Sequence, residues 1–210
     1  MATRRTARES SVSTARIEAF SDGVFAIAIT LLVLQLNLPH LPVHPTDRDL
    51  WNALFQMAPS YFTFVLSFAV IGRYWLAHHA LFHRIQKSDG KLAVLNLLLL
   101  LTVVALPFPT EVLGQYGNLA AAVIFYAVSI SLIGLMMGVL WRHAVKRGLL
   151  YPDVSQRTIR NSYYRSSSVP IIFLASVPVA AFVSVGWAET MWILTFFAGV
   201  FLKNDGSRTS

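Results

Sequence analysis

Two short stretches gather the side chains able to do chemistry. Residues 16–34 read RIEAFSDGVFAIAITLLVL, which sets Ser21 and Asp22 into an apolar run. Residues 72–82 read GRYWLAHHALF and bring together Arg73, Trp75, His78 and His79. A hydroxyl, a carboxylate and imidazoles suggest hydrolytic catalysis, metal or haem ligation, or a structural hydrogen-bond network. Catalysis fits poorly, because Ser21 lies mid-helix with neither a nucleophile elbow nor an oxyanion signature. Ligation fits poorly too, because the adjacent residues His78 and His79 point in different directions on a helix. Cysteine is absent, which removes disulfides, thiolate nucleophiles and Cys-ligated metals. The pattern therefore favours hydrogen-bonded histidines in a non-enzyme with no cofactor and no resident metal.

The elements that hold these residues belong in a membrane. Of the 210 residues 55% are hydrophobic and only 13% charged, where a soluble domain has roughly a quarter charged. The segment from Leu92 to Phe108, LAVLNLLLLLTVVALPF, carries no charge, and a spanning helix needs about 20 such residues. The sequence predicts an all-α membrane bundle of six spans, at about 15–38, 50–82, 92–113, 118–143, 167–185 and 188–202. Pro39, Pro42 and Pro45 stop the first span, and Pro178 kinks the fifth. The second is longer than the bilayer is thick and should tilt or project. Residues 1–14 and 204–210 flank the 15–203 membrane unit as polar ends. A signal-peptide reading of the N-terminus is weakened by Glu18 and Asp22 and by the lack of a small-residue cleavage site.

Six spans place every one of the 17 Lys and Arg residues except Arg48 on one side, as cytoplasmic loops require. Both termini are then cytoplasmic. The net charge of +7 follows from those loops, so nucleic acid is not an expected partner. Asp47, Asp49, Glu111 and Glu189 fall on the outer side, where they would concentrate cations.

At about 100° per residue, taking Ile27 as zero, Phe20, Leu31 and Leu34 lie within about 40° of it. Asp22 is nearly opposite, and Thr30 sits on the flank at about −60°. A carboxylate inside a membrane helix needs a partner, and the Arg73–Trp75–His78–His79 group lies at the same depth. If Asp22 faces that group, the Ile27–Leu31–Leu34 stripe faces away from it, toward lipid or a symmetry axis.

Arg16, Phe20, Ser21, Asp22, Ala26, Ile27 and Thr30 fit RxxxFSDxxxAIxxT without a gap, and Trp75, His78 and His79 fit WxxHH. This resembles the signature of the endosomal and lysosomal potassium channel family of transmembrane protein 175 and its bacterial homologues. A single six-span unit is similar to the bacterial form, which implies a plasma (inner) membrane location. The resemblance implies a homotetramer around a central pore lined by the first helix. It implies a hydrophobic constriction at Ile27, Leu31 and Leu34, with Thr30 contributing to ion preference. It also implies a packing and hydrogen-bond network of Arg16, Phe20, Ser21, Asp22, Trp75, His78 and His79. The expected function is a potassium-permeable channel with modest K+ over Na+ selectivity, its only ions the permeating K+ and its partners lipid and its own copies. The sequence has no TVGYG filter, so carbonyl-cage selectivity is not expected. The alternative is a secondary transporter for a small cation or solute, which would need a mid-membrane site built from broken helices.

Overall fold

The computed structural model of the protein describes residues 13–192. Most of the expected N-terminal segment, residues 193–202 of the expected sixth span, and the expected tail lie outside those residues. Among the described residues the chain is helical apart from its connecting segments and one isolated β-bridge, and five helical stretches there are long and apolar enough to cross a membrane.

The first span is α1 (Thr14–Leu31), tightened by a 3-10 turn over Leu32–Gln35. Its hydroxyls bond back to its own carbonyls, Ser21 to Ile17 at 2.8 Å and Thr30 to Ile27 at 2.9 Å. Polar side chains are thereby satisfied inside an apolar helix.

The expected second span divides. A helix α2 (Asp47–Gln56) begins at a reciprocal Thr46–Asp49 capping box and gives way at Met57 to α3 (Ala58–Phe82). The cause is Pro59, which sits in the first turn of α3 and lacks the N–H that would continue α2. The 25 residues of α3 cover about 37 Å at 1.5 Å each, enough for the roughly 30 Å core.

The third span is α4 (Gly90–Val104) followed by α5 (Pro107–Tyr116), interrupted where Pro107 opens α5. The fourth is α6 (Ala120–Lys146). The fifth, α7 (Gln156–Phe182), starts well before the expected residue 167, because Ser155 caps it by accepting the Thr158 amide. Much of the presumed cytoplasmic loop is thus helix, and Pro170 lies inside α7 along with the anticipated Pro178. The chain is helical again over 185–192, the described start of the expected sixth span.

The helix α6 packs along α7, while α1 packs on α3 and α4. The α6–α7 contact depends on Gly134: a Cβ there would stand 2.7 Å from the Pro170 ring and 2.8 Å from the Tyr74 hydroxyl. Tyr126, Phe173 and Trp192 fill the same side of the bundle with stacked and tilted rings. At the other end, the connections after α3 and α6 pair. Gln86 and Lys87 donate to the Leu149 carbonyl and Tyr151 to the Arg84 carbonyl, with Gly148 at φ +61 making the turn.

Candidate functional site

The two faces of α1 differ completely. One face is buried and pinned. Ile17, Ser21, Phe25 and Ala28 are buried there, with Leu32 continuing the line. Ser21 accepts a hydrogen bond from Asn96 Nδ2 of α4 at 2.9 Å. Asn96 Oδ1 lies 2.9 Å from His78 Nε2 of α3. An amide oxygen only accepts, so His78 Nε2 carries the proton and donates it. Its other nitrogen, Nδ1, then keeps its lone pair, in a ring that packs against those of Phe25 and Phe82. It is the one buried side-chain polar atom among the described residues that has no partner. The chain Ser21–Asn96–His78 joins three helices through wholly buried groups, fixing the rotation of α1 about its own axis.

Two further contacts flank this chain. Trp75 donates its indole N–H to Asp22 Oδ1 at 2.8 Å, and His79 Nδ1 meets Glu18 Oε1 at 2.9 Å. Of the expected network, Ser21, Asp22, Trp75, His78 and His79 come together between α1 and α3. Arg16 stands exposed at the start of α1, and Phe20 is 56% exposed on the opposite face. Arg73 instead reaches α7, where its guanidinium donates to Ser168 at 3.3 Å. Two members were missed. Asn96 is the lone polar residue within a leucine run, and such a residue in a span is itself the signal. Glu18 carried the signal of an intramembrane carboxylate one turn before Asp22.

The other face of α1 is left uncovered among the described residues. Arg16, Ala19, Phe20, Gly23, Ala26, Ile27, Thr30, Val33 and Leu34 are all exposed, at helical spacing. Ile27 is 58% and Leu34 65% exposed, whereas Leu31 is half-buried. At about 100° per residue this face centres nearer Gly23 and Thr30 than Ile27. A Cβ at Gly23 would meet nothing within 4 Å.

A separate charged group closes the loop end. Asp89 caps α4 through the Leu92 amide at 2.7 Å, contacts His143 Nε2 at 3.0 Å and lies 3.7 Å from Arg147. Partial burial pushes its carboxyl up, but the Leu92 amide, His143 and Arg147 outweigh it and hold it below the usual carboxylate range. Among the described residues no three His, Cys, Asp or Glu side chains converge as a metal cage.

The chain is similar to known proteins. A family model described as endosomal/lysosomal potassium channel TMEM175 matches residues 16–107, a stretch that holds Ser21, Asp22, Trp75, His78 and Asn96. A potassium channel of Streptomyces collinus is 42% identical over 142 residues, covering 65% of this chain and 66% of that one. A potassium channel of Chamaesiphon minutus is 36% identical over 182 residues, covering 82% of this chain and 88% of the relative. The crystal structure of a lysosomal potassium-selective channel TMEM175 homolog from Chamaesiphon minutus superposes with a TM-score of 0.76 at 31% identity, over 91% of this chain and 98% of that one.

Proposed function

This chain belongs to the endosomal/lysosomal potassium channel TMEM175 family, and from that premise we propose that it is a potassium-permeable cation channel. Four copies surround a central pore lined by the uncovered face of α1. The observation that carries this reading is the contrast between the two sides of that helix. One is locked by Ser21, Asn96 and His78, while the other leaves Phe20, Ile27, Thr30 and Leu34 exposed among the described residues.

Rings of Ile27 and Leu34, flanked by the half-buried Leu31, form a narrow apolar neck. Such a neck excludes water when tight and conducts when slightly wider. Potassium holds its hydration shell less strongly than sodium and crosses an apolar neck at lower cost, which gives modest K+ preference. Thr30 adds a hydroxyl beside the neck, although its proton is committed to the Ile27 carbonyl. Asp47, Asp49, Glu111 and Glu189 supply cations at the outer side. The protein sits in a bacterial plasma membrane with both termini cytoplasmic.

The test is potassium flux from liposomes holding the purified protein, with Ile27→Ser alongside. The variant is expected to pass more sodium relative to potassium. Unchanged selectivity and conductance would remove Ile27 from the neck. Unitary currents in planar bilayers are expected, whereas saturable flux without them would make the protein a transporter.

A further inference from the structure

We propose that His79 and His83 form an open, two-histidine site for a divalent transition-metal ion at the loop end of α3, with Glu18 of α1 as its positioning residue. The two histidines are four apart, and helical geometry continues through His83, whose amide donates to the His79 carbonyl at 3.0 Å (φ −59, ψ −16). That spacing puts both imidazoles on one side of the helix, one turn apart, as in helical sites where two such histidines share one ion. The rings already face each other, 6.4 Å between centroids and 27° between planes. Both side chains are exposed, His79 to 53%.

What distinguishes His79 is its second neighbour. The Glu18 carboxylate lies 2.9 Å from Nδ1 and accepts the proton there, so Nε2 keeps its lone pair for a metal. A carboxylate behind an imidazole is the usual way a ligating histidine is oriented. On the side away from His83 the His79 ring leans on Trp75, at 6.2 Å and 29°, and Trp75 is itself tied to Asp22. His79 is therefore held from two directions, and a swing of the exposed His83 ring completes the pair. Metal–nitrogen distances of about 2.0–2.1 Å are then within reach. His78 takes no part, being buried on another side of α3. With only two protein ligands the remaining positions go to water, so the ion exchanges freely. Imidazole pairs favour Cu2+, Ni2+ and Zn2+ over the hard cation Mg2+. The site stands apart from the conduction reading, because binding is read out on purified protein without any ion flux.

The experiment is calorimetric titration of the purified, tag-free full chain with Ni2+, and with Mg2+ as the control. A variant H40Q/H44Q removes the other histidine pair of the same spacing. The expected result is one Ni2+ per subunit, no heat from Mg2+, and undiminished binding in H40Q/H44Q. Binding should weaken on the order of 10–100-fold in H83Q and in Glu18→Ala, each checked for unchanged elution on size exclusion. Absence of Ni2+ binding, wild-type affinity in H83Q, or loss of the site in H40Q/H44Q would each overturn the proposal.

Discussion

The seat of α1 and the α6–α7 seam are both buried helix contacts, yet they are made differently. The seam is closed by shape: Gly134 lets the Pro170 ring and the Tyr74 hydroxyl approach the α6 backbone, and three aromatic rings fill the space beside it. The seat of α1 is closed by direction. Ser21, Asn96 and His78 each have one geometry that works. Shape supplies the bulk of the attraction between helices in lipid, where apolar surface alone gives no preference for protein over tail. Direction adds little energy but fixes which edge of α1 points outward. The pore lining proposed for that edge would require such a fixed rotation.

That contrast can be broken from either side. Gly134→Ala should have the largest effect. The added methyl meets a rigid ring and a hydroxyl already donated to the Ile130 carbonyl, and overpacking of this kind costs about 1–3 kcal/mol. Thermal unfolding in detergent would register it as a lowered midpoint. Asn96→Leu comes next. It strands the His78 donor and removes one bond from Ser21, and an unsatisfied buried group costs roughly 1–3 kcal/mol, with membrane hydrogen bonds lying at or below the low end. If direction is what matters, potassium flux will change more in Asn96→Leu than in Gly134→Ala, despite its smaller loss of stability. The opposite order would erase the distinction.

Asp89→Ala should cost about 1 kcal/mol at pH 7, the usual worth of a helix cap. The pH dependence has a definite sign. The folded carboxyl titrates below its ordinary value of 3.8, so its contribution is complete above that value and is lost as pH falls through the lower one. The gap between variant and wild type in unfolding scans should therefore narrow from pH 7 to pH 3. Smallest of all, Trp75→Phe removes one hydrogen bond to a partly exposed carboxylate, about 0.6 kcal/mol. A much larger loss would mean that Asp22 depends on the indole more than the geometry indicates.

The all-helical membrane character was largely legible because long apolar runs are a strong signal. Helix boundaries were less so. Pro59 is masked by its apolar surroundings although it lies in the first turn of a new helix, and the polar segment before residue 167 reads as loop by composition while Ser155 caps a helix there. In the site, Ser21, Asp22, Trp75 and the two histidines were legible as polar residues stranded among apolar ones. Their pairing was not. Asp22 meets an indole rather than an imidazole, and His79 meets Glu18, because one residue of rotation decides the partner and periodicity resolves angles only coarsely. Leu31 shows the same limit, lying at the edge of the uncovered face rather than within it.

The pairing of Ile85 with Leu150 has a mechanical consequence. Three backbone hydrogen bonds lash the turn after α3 to the turn after α6, so the loop ends of these two helices are clamped to each other by main chain alone, and side-chain substitutions there leave the clamp's donors and acceptors in place.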